Sequence, residues 1–391
     1  MKHILLATTL VLALLNTSFL NADDVHYNVS VGMNGLVRMH DGNTFPIWGF
    51  KEGGGMSMMS RYSVPGPTFR AKEGDHVFLH FWNTSMLPHT IHPHGLDARQ
   101  DVDGVPQTSF EIPMMGSFTY DFIAPHAGTY AYHCHVHTVL HLQMGMYGAV
   151  VIDSPDGEKT VWEKGPAYDI ERIWDTGEFD SYWHRTAGGY GMGHGMWPGG
   201  GHGMWSNNSS GGNRRGGGHH GGDDGWNPDD GNDMGTGNGD DWWPGDDNGC
   251  CPDDGNGWWP GDGENSGFPY HDYNPDYFIV NGRSGTDIRN DLNSRVSMDV
   301  DQTLLLRLVN IGGYLPHRFL FDGLPATAVS SDGRPLPVQE MVEELTVYPG
   351  ERYDVIVEPE ASGNYQVEIE YLSIYDESVQ GTAAVPISVR N

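Results

Sequence analysis

The stretch YHCHVHTVLHLQMGM, residues 132–146, holds a single cysteine among four histidines and two methionines. Alternate side chains of an extended strand point to opposite faces, so Cys134 would face one side while His133 and His135 face the other. His141 follows Cys134 by seven residues. This segment therefore predicts ligands for two metal sites that lie back to back on one strand.

A second histidine-rich stretch, LPHTIHPHG at residues 87–95, repeats this pattern. If it is extended, His92 and His94 share one face and His89 takes the other. A cysteine thiolate, imidazoles and a weak methionine ligand form the donor set of a blue-copper centre, and this mixture suits a copper ion that cycles between two oxidation states. The two stretches predict a type 1 copper site made of His89, Cys134, His141 and Met146, and a second copper site made of His92, His94, His133 and His135.

Other interpretations of these residues stay open. The ligands could form a zinc or structural site, or the histidines could be ordinary core residues. For the histidines outside the two sets, surface or packing positions are expected: His76, His80, His126 and His137.

The rest of the chain indicates β-structure. Short β-prone runs separated by glycine, proline and aspartate make up residues 25–155, without a long helical periodicity. A second β-rich region starts near Tyr168 and resumes near Tyr277, with its clearest strands at 303–309, 353–358 and 365–371. The pattern predicts an all-β protein with two β-sandwich domains.

Residues 187–267 have a different composition. They are rich in glycine, aspartate and tryptophan, contain almost no valine, isoleucine or leucine, and repeat GHGMW, PDDGN and WWPGD twice each. Without aliphatic side chains such a segment cannot form a packed core. We therefore predict a long low-complexity insertion within the second domain.

The N-terminus predicts a signal peptide over residues 1–22. A short basic start precedes an apolar run at 4–15, which is too short to cross a bilayer as a helix, and cleavage after Ala22 is expected. The predicted domains are then 23–160 and 161–391. These features predict an exported protein, periplasmic or extracellular, with no membrane span after cleavage.

Charge and cysteine usage narrow the function further. The chain has 52 acidic and 21 basic residues, a net charge of −31, which argues against nucleic acids and anionic membranes as partners. Of its three cysteines, Cys250 and Cys251 are adjacent and cannot easily bridge each other, so free thiols and an interchain disulfide both stay open. Cys134 has no other distant partner, and metal ligation would give it a role.

These motifs resemble those of the multicopper oxidases, which include laccases, and of the related copper nitrite reductases. The resemblance extends to VPGPT at 64–68, DGVPQ at 103–107, DYFIVNG at 276–282 and PGERYD at 349–354. It implies two cupredoxin-like Greek-key domains, the second without its own copper site. It also implies that electrons pass from a donor to type 1 copper, then through the predicted catalytic residues Cys134, His133 and His135 to oxygen at a trinuclear cluster.

The chain departs from the family pattern in ways that affect the second site. In the family the next type 1 histidine usually follows the cysteine by five positions, whereas His141 follows Cys134 by seven. A trinuclear cluster needs eight histidines, and the motifs supply four. A two-fold dimer of first domains could supply the rest, a trimer could bring His317 from a neighbour, or the cluster could be absent.

The donor and the exact activity stay open at this stage. Phenols, Cu(I), Mn²⁺ and Fe²⁺ are all candidate electron donors. The leading prediction is an oxidoreductase of multicopper oxidase type. The alternatives are a type 1 electron-transfer protein, a nitrite reductase-like enzyme and a non-enzymatic copper-binding protein, which copper stoichiometry would distinguish.

Overall fold

The computed structural model describes residues 22–53, 61–185 and 273–391. The predicted insertion, the pair Cys250 and Cys251 and nearly all of the predicted signal peptide lie outside these residues. The described chain is built almost wholly of strands, with only short helical segments. The prediction of an all-β fold is confirmed.

The first half of the described chain forms two four-stranded sheets, in the strand orders β2-β1-β4-β6 and β3-β8-β7-β5. The strands are β1 (Asp24–Arg38), β2 (Thr44–Glu52), β3 (Phe69–Lys72), β4 (His76–Asn83), β5 (His92–His94), β6 (Ser117–Ile123), β7 (Gly128–His133) and β8 (Tyr147–Asp153). A 3₁₀ turn at Gln100–Val102 and the six-residue helix α1 at Thr138–Gln143 lie between strands. We call this pair of sheets the first β-unit.

Alternating hydrophobicity explains how these strands pack. In β4, Val77, Leu79 and Phe81 are buried, while the intervening side chains are half-buried or exposed. Period-2 alternation of this kind places one face of a sheet on a core and leaves the other toward solvent.

The second half forms a seven-stranded sheet, β11-β10-β9-β13-β18-β15-β16, and a five-stranded sheet, β12-β20-β19-β14-β17. The strands are β9 (Ile170–Phe179), β10 (Tyr277–Val280), β11 (Arg283–Ser284), β12 (Val296–Asp299), β13 (Leu304–Asn310), β14 (His317–Leu320), β15 (Ala326–Ser331), β16 (Arg334–Met341), β17 (Glu344–Val347), β18 (Arg352–Val357), β19 (Gly363–Leu372) and β20 (Val379–Arg390), with a 3₁₀ helix at Gly285–Asn290. We call these two sheets the second β-unit.

A polar network joins the two units at β7, β13 and β18. The fully buried Arg307 guanidinium donates to Thr129 Oγ1 of the first unit at 2.9 Å and forms an ion pair with Asp354. Thr129 also donates a hydrogen bond to Asp354, and Tyr130 donates to the carbonyl of Gly333 at 3.1 Å. Because these buried groups are paired across the boundary, the network fixes the face of the first unit that carries β5 and β7 against the second unit.

Within the described residues, no helix has the length and apolar character needed to cross a membrane.

Candidate metal centres

The first centre is a fully buried group formed by His89, Cys134 and His141. Their ligand atoms lie within 4.8 Å of one another. Cys134 Sγ is 3.1 Å from His141 Nδ1 and 3.7 Å from His89 Nδ1. A metal ion bound at roughly 2.0 Å from nitrogen and 2.3 Å from sulfur fits between atoms at these separations.

Three different local structures bring these ligands together. His89 precedes β5 and pairs with Ile112 in an isolated bridge. Cys134 follows directly after β7, which ends at His133, so the strand stops before Cys134 and His135, which the sequence pattern places on it. His141 lies in helix α1, whose last turn returns the chain toward the strand.

Backbone hydrogen bonds connect Met146 to Cys134 and His141. The Cys134 amide donates to the Met146 carbonyl at 3.0 Å, and the Met146 amide donates to the His141 carbonyl at 2.9 Å. The Met146 side chain is fully buried. His89, Cys134 and His141 therefore form one buried group in the first unit, and the buried Met146 is hydrogen-bonded through its backbone to Cys134 and His141.

Burial controls the protonation of these residues in the absence of a metal ion. Desolvation raises the pKa of the Cys134 thiol to about 12 and lowers the pKa of His89 to about 3. The pKa of His141 is also well below its usual range because of burial and, second, the neighbouring His89. Histidine binds a metal ion as the neutral imidazole, which is the form that burial favours here. A bound cation would stabilise the thiolate of Cys134 and so offset the cost of ionising the buried thiol.

This donor set fits copper. A buried cysteine with two imidazoles, and a methionine close to them in the backbone, matches a blue-copper ligand set, and none of these four described residues is a carboxylate of the kind that a hard cation prefers. The Thr90 amide points at Cys134 Sγ from 3.5 Å, where it would hydrogen-bond the thiolate. Such outer hydrogen bonds and the apolar shell around them tune a metal site.

The second centre lies on the opposite side of β7. His92, His94 and His133 form a group whose ligand atoms lie within 4.8 Å of one another. β5 pairs with β7 in antiparallel register, which sets His92 opposite His133. His94 Nδ1 lies 3.2 Å from His133 Nε2.

His135, the fourth predicted ligand, lies beside this group and not inside it. Its ring centroid is 5.3 Å from that of His92 and 5.7 Å from that of His133. Its Nδ1 is buried and has no hydrogen-bond partner among the described residues. Buried polar atoms without a partner are rare, and a metal ion or ordered water would satisfy this one.

Two neighbours that the sequence did not single out shape the second centre. Asp103, within the DGVPQ motif, holds His92: its Oδ1 and its carbonyl lie 3.1 and 2.9 Å from His92 Nδ1. Arg352, which comes from the second unit, adds to burial in lowering the pKa of His94 to about 4. A histidine oriented by a carboxylate is a common arrangement in metal sites, so the DGVPQ motif was a usable signal for Asp103. Arg352 lies within the PGERYD motif, but the motif does not indicate its place beside His94, because only the tertiary contact brings it there.

His317 is not available as a ligand for a neighbouring subunit. It is fully buried in the second unit, its Nδ1 lies 2.8 Å from Thr176 Oγ1, and its Nε2 lies 3.2 Å from Glu178 Oε2. Its ring also packs on Tyr371. The expectation that a trimer could present His317 to a second copper site is therefore corrected: both ring nitrogens already have partners, and the core of the second unit covers them.

The histidines expected at surface or packing positions belong to neither of the two groups of described residues that could hold a metal ion. His76 lies 3.3 Å from Asp121, His126 lies beside the carbonyl of its neighbour Ala127, and His80 pairs with the exposed His26. His137 directly precedes helix α1 and has a left-handed backbone conformation.

Comparisons with known proteins agree with this geometry. The multicopper oxidase family matches the sequence twice, over residues 52–157 and over residues 238–389. The two sites together with these matches define a cupredoxin-type copper protein. The chain belongs to the multicopper oxidase family, and the prediction of copper as its cofactor is confirmed at the level of that family.

Individual relatives share shorter regions. The chain is 39% identical over 93 residues to multicopper oxidase MmcO of Mycobacterium tuberculosis, covering 24% of this chain and 18% of that protein. It is 37% identical over 102 residues to copper resistance protein A of Escherichia coli, covering 26% of this chain and 16% of that protein. The aligned region thus spans less than a fifth of these relatives.

Solved structures share the fold over nearly the whole chain. The blue copper oxidase from Nitrosomonas europaea superposes with a TM-score of 0.60 at 21% identity, covering 94% of this chain and 86% of that one. The copper nitrite reductase from Nitrosomonas europaea superposes with a TM-score of 0.57 at 17% identity, covering 94% and 95%. At this level of identity the likeness establishes the cupredoxin-type fold.

Proposed function

We propose that this protein is a copper oxidoreductase that takes electrons from a donor at the first centre and delivers them to oxygen at the second. The observation that carries the proposal is the position of Cys134. Its side chain belongs to the first centre, while its sequence neighbours His133 and His135 lie at the second, on the other side of β7. A single stretch of backbone therefore connects the two centres through a few covalent bonds.

The residues divide the work between the two sites. When bound, copper would supply one-electron redox chemistry between Cu(I) and Cu(II). His89, Cys134, His141 and Met146 would hold the ion in the buried site, from which water is excluded. His92, His94, His133 and His135 would hold copper at the half-buried site, where oxygen has access. Asp103 fixes the ring of His92 and places a carboxylate at the edge of this site.

We further propose that the second centre is completed by another copy of the chain. The described residues gather three imidazoles tightly and a fourth beside them, which is half of the eight that a family-type trinuclear cluster requires. A two-fold interface between first β-units presents the same patch from both copies and doubles its ligands. The burial of His317 favours this arrangement over a trimer that uses His317.

Oxygen uptake and copper stoichiometry test the function together. With a generic phenolic donor, the copper-loaded wild-type protein should consume oxygen, and His133→Ala should reduce uptake to background while the visible thiolate band of the first centre persists. The matched control is His26→Ala, an exposed histidine away from both centres, which should leave both readouts unchanged. One copper per chain with no oxygen uptake would make the protein an electron carrier instead.

Sedimentation of the copper-loaded protein tests the shared site. A dimer that dissociates when His94 is replaced by alanine would support it. An efficient oxidase that sediments as a monomer would contradict it.

We also propose that the protein is exported, on the strength of the basic start and apolar run within residues 1–22. N-terminal sequencing of the mature protein checks this, with cleavage after Ala22 as the expected result.

A further inference from the structure

Arg352, the first residue of β18, reaches from the second β-unit to the turn that follows the ligand His94. A Cβ on Gly95, the residue after His94, would lie 2.5 Å from Arg352 Nη2. Gly95 has a φ of +77°, and its lack of a side chain leaves the space that the guanidinium fills. The packing of Arg352 on Gly95 therefore joins the second unit directly to the backbone that carries His94.

The loop before Arg352 packs on the His94 ring itself. A Cβ on Gly350 would lie 3.3 Å from His94 Cε1 and 3.5 Å from His94 Nε2. Arg352 Nη1 donates to the Gly350 carbonyl at 2.5 Å, which ties the guanidinium to this loop. His94 Nδ1, in contrast, lies 3.2 Å from His133 Nε2. One edge of the His94 ring thus faces the other ligands, and another edge lies against a loop that Arg352 holds.

The Arg352 guanidinium is a buried charge with incomplete pairing. Its side chain is 4% exposed, and its Nε is buried without a hydrogen-bond partner among the described residues. Asp332, its ion-pair partner, lies 2.9 Å from Nη1, and about half of the Asp332 side chain is exposed to water, which screens its negative charge. A buried donor left unpaired costs free energy, so its retention beside a candidate metal site indicates that the charge acts on that site.

This charge has a defined effect on a metal ion at the second centre. Among the charged groups around His94, Arg352 exerts the strongest electrostatic influence, ahead of His92 and His135. A nearby positive charge favours reduced copper, because Cu(I) carries one positive charge fewer than Cu(II) and is repelled less. Burial keeps the repulsion strong, since buried charges are screened less by water and salt.

We propose that Arg352 is a positioning residue of the second centre: packed on Gly95 and tied to the Gly350 loop, it holds one positive charge behind His94 and so raises the reduction potential of copper bound there. The inference rests on the proposed function, since it requires copper at the four histidines of that centre. It also gives the second β-unit, which supplies no residue to either metal group of the described chain, a part in the chemistry of the first unit.

A coulometric redox titration of the copper-loaded full chain, kept without oxygen, tests the proposal without turnover. Bleaching of the visible thiolate band gives the reduction of the first centre at each potential, and the remaining charge taken up gives that of the second. We expect Arg352→Gln to shift the midpoint of the second centre to lower potential, while the midpoint of the first centre and the total charge stay the same. Arg352→Lys keeps the positive charge and should stay close to the wild type. The control is Arg318→Gln, which replaces an arginine of the second unit that pairs with Glu370 and should shift neither midpoint.

Gly95 offers a second way to move the charge without removing it. Gly95→Ala places a Cβ where Arg352 Nη2 lies, so it should displace the flexible end of that side chain and shift the midpoint in the same direction. Gly157→Ala is the matched control, because Gly157 has a similar φ of +74° and open space around a Cβ. The double variant Gly95→Ala with Arg352→Gln should shift the midpoint no further than Arg352→Gln alone. If Arg352→Lys fails to fold, the comparison of Gly95→Ala with Gly157→Ala decides.

The outcomes separate this inference from the proposed function. An unchanged midpoint in Arg352→Gln, or an equal shift in Arg352→Lys, would overturn the role of the charge and leave the oxidoreductase function intact. A further shift in the double variant would show that Gly95 acts independently of Arg352, which would overturn the clamp. The expected shifts without oxygen uptake by the wild type would instead refute the function and retain the role of Arg352. A total of one electron per chain would refute both, since the second centre would then hold no copper.

Discussion

The two β-units share one scaffold and differ in what they hold. The strand order β2-β1-β4-β6 of the first unit recurs as β10-β9-β13-β18 in the second, and β3-β8-β7-β5 recurs as β12-β20-β19-β14. Each equivalent pair is parallel or antiparallel in the same way, including the parallel pairs β1–β4 and β9–β13. The repetition indicates two copies of one architecture within the chain.

Local contacts repeat as well. Asn83 at the end of β4 donates to the carbonyls of Leu87 and Ile112, and Asn310 at the end of β13 donates to those of Leu315 and Val347. His89 pairs with Ile112, just as His317 pairs with Val347. His317 is therefore the counterpart of His89, which we predict to bind copper, and both residues are fully buried.

The register then shows which residues of the second unit occupy the positions of Cys134, Met146, His92 and His133. Ile369 replaces Cys134 and Ala383 replaces Met146, because Cys134 bonds to Met146 across the strands as Ile369 pairs with Ala383. On the other face, Leu320 pairs with Glu368 where His92 pairs with His133. Thr176 pairs with Asn310 as Val31 pairs with Asn83, so Thr176 is the counterpart of Val31. Thr176 is also hydrogen-bonded to His317.

The difference teaches that the cupredoxin scaffold does not itself make a metal site. The backbone places a histidine at the same point in both units. In the first unit that histidine meets a thiol and a second histidine in an apolar pocket. In the second it meets Thr176 and Glu178, which use both its nitrogens for structure.

The largest expected effect is the difference in the visible band between a substitution of Cys134 and a substitution of its counterpart Ile369. Cys134→Ser should abolish the visible thiolate band of the copper-loaded protein completely, because only a thiolate gives that band, and far-ultraviolet circular dichroism should show the fold intact. The matched change Ile369→Val should leave the band in place. Absence of an intense band in the copper-loaded wild type would disprove the type 1 site.

A second prediction concerns Asp175, whose counterpart in the first unit is the buried but neutral Ser30. The folded-state pKa of Asp175, about 7, exceeds the ordinary value of 3.8, so between these pH values the folded protein keeps a proton that the unfolded chain has lost. The contribution of Asp175 to the free energy of unfolding is therefore fully present below about pH 4. As the pH rises from about 4 to about 7, this contribution is lost, and the free energy of unfolding falls by up to roughly 4 kcal/mol.

Urea unfolding of the copper-free protein at pH 4.5 and pH 8 measures this effect. Asp175→Asn cannot ionise, so the stability of the wild type relative to this variant should fall between the two pH values. A difference that is constant across the pH range would show that the Asp175 carboxyl has an ordinary pKa and is solvated.

The smallest expected effect is the loss of stability when His317 is substituted, which we compare with the same substitution of its counterpart His89. His317→Leu should lower the free energy of unfolding by about 1–3 kcal/mol, because the buried groups of Thr176 and Glu178 lose their partner. The visible band should not change. His89→Leu should alter or remove the band. A change of the band in His317→Leu would mean that the second unit contributes to the first centre after all.

Much of the metal chemistry could be predicted from sequence because the ligands are close together along the chain. Cys134, His133 and His135 are adjacent, so the alternation of an extended strand is enough to divide them between two sites. His92 and His94 are likewise two residues apart. The loop from Cys134 to Met146 is short enough that its ends must meet.

Other features could not be predicted because they depend on contacts between distant residues. The strand β7 ends before Cys134, and His135 lies beside the three-histidine group, since the loop hydrogen-bonds to Thr90. The partners of His317 lie on β9, about 140 residues away along the chain. Local pattern carries no information about such pairs.

The sequence by itself determined the all-β class, the candidate ligands and their division between two faces, because these follow from strand alternation and from the chemistry of thiolate and imidazole. The tertiary structure alone decided three further matters: that His317 is sealed in a core, that Arg352 of the second unit borders the second centre, and that Asp175 lines a cavity between the two units. The burial of His317 depends on packing within the second β-unit, and the other two depend on packing the two β-units against each other. In all three cases, burial and proximity are set by residues far apart in the chain.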